Sequence, residues 1–429
     1  MAYETLVIRE GRVVDPSRGF DEIADVTIRD GKIAEIGKAE AKGTRQIDAA
    51  GKIVCPGLID MHVHLREPGN EDAETIASGC AAAVAGGFTS IACMPNTQPA
   101  VDTEAMIEFV YRQAARANLC NVYPIGALTK GRAGKELAEI GQMVRAGAVA
   151  FSDDGAGVAN STVMLRAMQY VAMFNKTVIN HCEDPDLTAG GCMNAGLIST
   201  RLGLPGSPAV AEEVMLQRDL LLARNARCRY HAAHVSTAGA VELIREARKR
   251  GVLVTAEAAP HHLLLTDECV SQSEYDTNYK VNPPLRTSKD VDACIAGVAD
   301  GTINCLATDH APHGREEKEL DFQNAPFGIN SLEVALGLYA KALIESGRLD
   351  WPALIRKLTI EPAKVLGLNK GTLAVGADAD VTIIDPAASW TVGVASFKSR
   401  SQNCPYEGWT LRGRATHTIV AGQIKSQIA

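Results

Sequence analysis

The 429-residue chain predicts an α/β fold: a (β/α)8 barrel of the TIM type with a small β-sandwich domain formed by both chain ends. Two patterns carry this. Through the middle, short apolar runs alternate with stretches of helical periodicity, as strand–helix units do. At both ends the helical pattern stops, and short strand-like runs alternate with Gly, Asp and Pro turns. The length suits one large domain plus a smaller one. With 46% apolar and 22% charged residues, the composition is that of a globular chain with a sizeable core.

Residues 1–54 read as strands in TLVIREGRVVD, ADVTIRDGKIAEIG and RQIDAAGKIVC. Residues 366–429 repeat the pattern in ADVTIIDP and THTIVAGQIK. Each end is short of strands, so the two half-sheets are expected to complete one sandwich together. Residues 55–365 hold eight strand-like runs: LIDMHVHL, FTSIACMPN, NVYPIGAL, AVAFSDD, TVINHCED, YHAAHVST, VLVTAEAAPHH and INCLATDHAPH. Between them lie helical stretches such as ETIASGCAAAVAGG, TEAMIEFVYRQAARA, SPAVAEEVMLQRDLLLARNA and AGAVELIREARKRG. Eight such units predict a closed barrel. A doubly wound open sheet competes, but no G-x-G-x-x-G or Walker loop supports it.

Several function classes drop out on composition. The net charge is −8, and the densest basic patch, RKRG at 248–251, reads as the solvated end of a helix. Nucleic-acid binding therefore lacks its main electrostatic term. No apolar run approaches the roughly 18 residues of a membrane span. Charges interrupt MAYETLVIREGRVV too early for a signal peptide. The 11 cysteines are odd in number, scattered and free of any C-x-x-C pair. These features predict free thiols in a reducing cytosol. Cys182 and Cys305, beside candidate site residues, read as small core residues.

The chemistry sits where the central strands end. Strand 1 ends in His62-Val63-His64, strand 2 in Asn96, and strand 4 in Asp153-Asp154-Gly155. Strand 5 ends in His181, strand 6 in His234 and strand 8 in Asp309. Residues i and i+2 of a strand share a face, so His62 and His64 are expected to point inward together. Catalytic residues of such barrels gather at the C-terminal strand ends. Taken singly, each residue has a plainer reading. A strand-end His is usually a hydrogen-bonded core residue, a strand-end Asp a helix cap, and H-x-H arises readily by chance. Four imidazoles and two carboxylates on five strand ends are different, because burying them together without a cation leaves polar groups short of partners. Imidazole and carboxylate ligands without thiolates favour Zn²⁺, with Co²⁺ or Mn²⁺ as substitutes. Six ligands exceed the need of one tetrahedral ion and predict two ions bridged by a carboxylate and a hydroxide.

The segment from Asp60 to Gly69, DMHVHLREPG, resembles the D-x-H-x-H-x-R-x-P-G signature of dihydroorotases in the amidohydrolase superfamily. Met94-Pro95-Asn96-Thr97, Phe151 to Gly155, Asn180 to Asp184, His234 to Thr237, Lys280 to Pro284 and Thr308 to His313 resemble further motifs of its longer, bacterial class. The resemblance spans nearly the whole chain. It implies reversible closure of N-carbamoyl-L-aspartate to L-dihydroorotate with loss of water, the third step of de novo pyrimidine synthesis. It further implies that His62, His64 and Asp309 hold one zinc, His181 and His234 the other, and Asp154 bridges them. Many relatives bridge with a carboxylated lysine, but no lysine stands on strand 4 here. Strand alternation leaves Asp153 and Asp154 open as the bridge, and the motif spacing selects Asp154.

In the hydrolytic direction the implied mechanism uses a bridging hydroxide on the ring carbonyl, with Asp309 carrying the proton to the leaving nitrogen. The plainer reading of Asp309 is a ligand with no proton duty. The implied substrate-binding set is His64, Arg66, Asn96, Asn282, His313, Phe327 and Gly328. Arg66, expected to share the strand face of His64, would fork onto the substrate carboxylate, helped by Asn96 and His313. Asn282 would meet the ring amide, and Phe327-Gly328 would offer backbone. Their plainer readings are a surface ion pair of Arg66 with Glu67 or Glu71, turn asparagines, and an exposed loop histidine. Residues 310–325 read as a mobile lid. His231, His261, His262, His310 and His417 receive no catalytic role, although His262 and His310 fall near the mouth. Two other readings compete: a cyclic amidase for hydantoin, dihydropyrimidine or allantoin, and a non-catalytic subunit that scaffolds aspartate transcarbamoylase. The second is at odds with a complete ligand set. An active enzyme that also binds aspartate transcarbamoylase stays open, as does a homo-oligomer.

Overall fold

The computed structural model describes residues 5–39 and 45–428. Five strands open the chain: β1 (Leu6–Asp15), β2 (Phe20–Arg29), β3 (Lys32–Gly37), β4 (Arg45–Asp48) and β5 (Ile53–Pro56). The middle carries β6 (Leu58–Val63), β7 (Phe88–Cys93), β8 (Asn121–Pro124), β9 (Ala150–Phe151) and β10 (Thr177–Asn180). A two-stranded excursion, β11 (Met193–Asn194) with β12 (Gly206–Ser207), precedes β13 (Arg229–Ala232), β14 (Val254–Ala258) and β15 (Cys305–Leu306). The chain closes with β16 (Val381–Thr391), β17 (Thr410–Val420) and β18 (Gln423–Gln427).

The two ends meet by direct hydrogen bonding. β5 pairs antiparallel with β16, giving one sheet in the order β18-β17-β16-β5-β1-β2-β3, with β4 alongside β1. Alternation in these strands sends Ile8, Val26, Ile28, Val54, Val381, Ile383 and Ile419 into one buried cluster. The expected half-sheets thus join edge to edge, and each end satisfies backbone groups the other leaves open.

The central strands pair in parallel. β6-β7-β8 form one sheet and β9-β10-β13-β14-β15 another. Two bridges join them: Gly126 to Phe151, beyond β8, and Val63 to His310, beyond β15. The pairing therefore returns to its starting strand. Inside the ring, Met61, Ala92, Ala150, Ile179 and Cys305 pack together, closed below by Val365 and Leu366. Outside it, Leu58, Ile91, Phe151, Val178 and Tyr230 pack against helix residues such as Cys80, Ile107, Met168, Leu220 and Ile244. Those helices include Ile76–Gly86, Glu104–Ala117, Ser161–Ala172, Val210–Ala226 and Ala238–Lys249. Cys182 and Cys305 are buried, in line with their reading as core, and all eleven cysteines are free. Among the described residues no helix is long and apolar enough to cross a membrane.

The basic patch at 248–251 does end a helix, but Arg248 is not simply solvated. Its guanidinium donates to the carbonyls of Val254 (3.0 Å) and Gly301 (2.6 Å), while Lys249 pairs with Glu246 at the surface.

The terminal sheet is fastened to the first central helix. Gly87 ends that helix at φ +97, and a Cβ there would stand 2.7 Å from Ala415 Cβ. Thr382 Oγ1 donates to Gly87 O (2.7 Å) and accepts from Leu58 N, and Thr418 Oγ1 donates to Val84 O (2.6 Å). Thr382→Val keeps the shape but strands a buried carbonyl and a buried amide. It should cost about 1–3 kcal/mol, read as a lower urea midpoint; an unchanged midpoint would show that this fastening adds nothing.

Candidate metal centre

Six side chains named from the sequence meet above the strand ends. His62 lies in β6 and His64 just beyond it; Asp154, His181, His234 and Asp309 each follow the end of β9, β10, β13 and β15 by one to three residues. Simple alternation does not place them. The register slips between Asp60 and Val63 in β6, and His234 and Asp309 adopt left-handed backbone at φ 27 and 48. Such backbone is uncommon outside glycine and clusters at functional sites. Asp60 braces this rim, accepting from His62 N (3.1 Å) and from Thr308 Oγ1 (2.5 Å) next to Asp309. Burial pushes the Asp60 carboxyl up to about 7.

Two overlapping groups could each hold an ion: His62, His64 and Asp154; and Asp154, His181 and His234. Asp154 is common to both. Its Oδ1 lies 3.4 Å from His62 Nε2, 3.8 Å from His234 Nε2 and 4.0 Å from His181 Nδ1. Asp309 Oδ1 stands on the first group's side, 3.1 Å from His64 Nε2 and 3.5 Å from His62 Nε2. Two nitrogens each about 2.0–2.1 Å from a tetrahedral zinc lie about 3.3 Å apart, so these spacings suit ligands of shared ions. Asp153 faces away, accepting from the backbone N–H of Leu128 (2.8 Å) and Thr129 (3.1 Å).

Proton positions sharpen the argument. His62 Nδ1 donates to Glu257 Oε1 (2.5 Å), and His64 Nδ1 donates to Asn96 Oδ1 (2.8 Å). A neutral imidazole holds one proton, so both Nε2 atoms present lone pairs to the carboxylates of Asp154 and Asp309. His62 Nε2 and Asp154 Oδ1 are buried with no hydrogen-bond partner among the described residues. Facing acceptors in a buried site demand a cation or protons between them. The same pressure appears in the acid–base balance of His62. Burial disfavours its charged form, yet Asp154 and Glu257 outweigh that and raise it well above the ordinary imidazole value. The donor set fits divalent metal ions with imidazole and carboxylate ligands.

The seven residues expected to bind substrate, His64, Arg66, Asn96, Asn282, His313, Phe327 and Gly328, line one cavity of about 300 Å³ with Asp154, His181, His234 and Asp309. Arg66 gets there differently from the strand-face expectation. β6 ends at Val63, and a left-handed turn at Arg66 (φ 58) aims its side chain inward. Its Nε donates to Pro312 O (3.0 Å), and its Nη2 sits 3.1 Å from His313 Nε2. No ion pair joins it to Glu67 or Glu71 among the described residues. Asn282 is engaged on the protein side, donating to Glu183 Oε2 (2.9 Å). The segment read as a mobile lid, 310–325, is tied down. His310, Ala311, Phe322 and Ala325 are buried, and Lys280 Nζ donates to Gln323 O (2.9 Å) and Ala325 O (2.6 Å).

The sequence reading missed the carboxylates behind the ligands. Glu257, in β14, receives His62 on one oxygen and His231 Nε2 (3.2 Å) on the other, and His231 continues to Thr255 (2.7 Å). Burial would raise the Glu257 carboxyl, but His62 and His231 together bring it down to about 2. Glu183 accepts from His181 Nε2 (3.2 Å) in the same way. The available signal was a carboxylate inside the apolar run VLVTAEA, which needs a buried partner. His262 bonds Pro283 O (2.9 Å) beside Asn282, whereas His310 turns away to Glu74 (3.3 Å).

The sequence matches the family described as Dihydro-orotase-like over residues 51–240 and the Amidohydrolase family over 227–425. It is 55% identical to a dihydroorotase of Pelotomaculum thermopropionicum, covering 98% of each chain. It is 51% identical to a dihydroorotase of Citrifermentans bemidjiense, covering 98% of this chain and 99% of that one. Among solved structures it resembles the L-hydantoinase (dihydropyrimidinase) of Arthrobacter aurescens, with TM-score 0.87, 27% identity, and coverage of 100% and 98%.

Replacing Glu257 by Gln removes the charge that holds His62 while keeping its shape. Partners of this kind are worth about 10–100-fold in metal affinity. Chelator competition on E257Q should show a loss in that range, and wild-type affinity would remove Glu257 from the metal site.

Proposed function

The chain belongs to the dihydroorotase family, and on that premise we propose how its residues close and open the dihydroorotate ring. The observation that carries the reading is the shared cavity: Asp154, common to two ligand groups, opens onto the same space as Arg66, Asn96 and His313. The ring of eight parallel strands is best read as a (β/α)8 barrel, and the sheet made by both ends as its companion β domain.

Two zinc ions are proposed, with His62, His64 and Asp309 on one, His181 and His234 on the other, and Asp154 between them. When bound, they supply acidity for a water near neutral pH and polarisation of the ring carbonyl. The protein's own groups do the rest. Asp309, which lines the cavity beside His64, takes the proton released as water adds and delivers it to the departing ring nitrogen. In the closing direction Asp309 begins protonated and the transfers run backwards. Arg66 is, among the described residues, the one arginine or lysine lining the cavity; it takes the substrate carboxylate as a forked pair, with Asn96 and His313 beside it. Asn282 and the backbone of Phe327-Gly328 orient the ring amide. A hydantoin or dihydropyrimidine ring carries no carboxylate for Arg66, which favours dihydroorotate as substrate. An active enzyme of this kind is compatible with the reducing cytosol expected from the scattered thiols, and with the homo-oligomer and the aspartate transcarbamoylase partner that the sequence leaves open.

The test is turnover of dihydroorotate before chelation, after it, and after zinc is restored, with Arg66→Ala alongside. Activity should vanish and return. Arg66→Ala should raise KM at least tenfold with metal content unchanged. Turnover of dihydropyrimidine but not dihydroorotate would overturn the reading.

A further inference from the structure

The rim that meets the substrate is made from two segments, 311–313 and 326–328, and a third from far along the chain holds them in register. The connection between β16 and β17 runs under this rim and buries Asn403 to 4% exposure. Its Nδ2 donates to Ala311 O and to Gly328 O, both at 3.0 Å. Its Oδ1 accepts the backbone N–H of His313 at 3.1 Å. One planar amide thus measures the gap between the two segments. They meet closely there: a Cβ on Gly328 would stand 2.6 Å from Ala311 O and 2.8 Å from His313 Cδ2. His313 Nε2 lies 2.8 Å from Phe327 O and 3.1 Å from Arg66 Nη2. A single nitrogen cannot donate to the carbonyl and accept from the guanidinium at once, so small shifts of this rim decide which partner His313 serves and how freely Arg66 can turn to a ligand.

We propose that Asn403 is a positioning residue for substrate recognition. It lies behind the cavity wall and touches no candidate metal ligand. It sets the spacing of His313 against the Phe327-Gly328 turn, and through His313 the aim of Arg66. This rests on the dihydroorotase reading. Asparagine is required because the position needs two donors and one acceptor in one plane; aspartate has the shape but turns two lone pairs onto two carbonyls.

The experiment compares wild type, Asn403→Ala, Asn403→Asp and Asn403→Gln in steady-state kinetics with dihydroorotate, with metal content and unfolding midpoint measured on the same preparations. KM should rise at least tenfold in N403A and further in N403D, with kcat within about threefold and metal content unchanged. N403Q keeps the donors on a longer arm and should fall between wild type and N403A, which also serves if N403D does not fold. KM within twofold of wild type in folded, metal-loaded variants would overturn the proposal, as would a loss of kcat alone. Amide exchange over 311–328 gives a reading without substrate: faster exchange confined to that stretch in N403A supports the role, and an unchanged pattern rejects it. A wild type that fails to turn over dihydroorotate would instead sink the functional reading, leaving the exchange result to decide the role of Asn403.

Discussion

The structure turns on one electrostatic constraint: lone pairs of buried imidazoles and carboxylates face one another across a few ångströms. In their neutral forms His62 and His64 give their one proton to Glu257 and Asn96, so their remaining nitrogens meet Asp154 and Asp309 as acceptor against acceptor. In a buried site such an arrangement is costly by several kcal/mol unless positive charge sits between the groups. The fold accepts left-handed backbone at His234 and Asp309 and a slipped register in β6 to achieve it. Strain and repulsion gathered in one place mark a site built for ions rather than a core that packed poorly.

Around that centre the protein spends its other buried polar groups on orientation. Glu257 with His231, Glu183 with Asn282, and Asp60 with Thr308 each tie a ligand to a neighbouring strand end. The lid-like stretch follows the same rule. It is long and polar, but Lys280 reaches its Gln323 and Ala325 carbonyls, and its own Lys318 turns inward to the carbonyls of Pro326 and Gly328. Burial, with Lys280 nearby, lowers the Lys318 amine to about 7, which eases the cost of keeping it there. Both chain ends serve the site too: the β5–β16 seam closes the terminal sheet, and the loop that leaves it carries Asn403 to the rim.

Much of this was legible in the chain. Alternating apolar runs and helical stretches announced strand–helix units, and the strand ends named the six side chains that meet. What escaped has physical causes. Arg66 enters the cavity through a left-handed turn at its own residue, which strand alternation cannot foresee. Glu257 and His231 look like isolated polar residues until their strands lie side by side. Asn403 sits 75 residues beyond Gly328 in the turn it braces, in a stretch whose composition suggests only a loop. Polarity alone suggested a mobile 310–325, because sequence does not reveal that the buried Lys280 waits beneath it or that Lys318 turns inward. Alternation also left Asp153 and Asp154 equivalent; the backbone amides of Leu128 and Thr129, which claim Asp153, separate them.

Anomalous diffraction from crystals of the zinc-loaded protein, collected on both sides of the zinc edge, addresses the centre itself. Two peaks about 3.5–4 Å apart, with the Asp154 carboxylate touching both, are the predicted result. Peaks absent from this rim, or an ion bound without Asp154, would contradict the account.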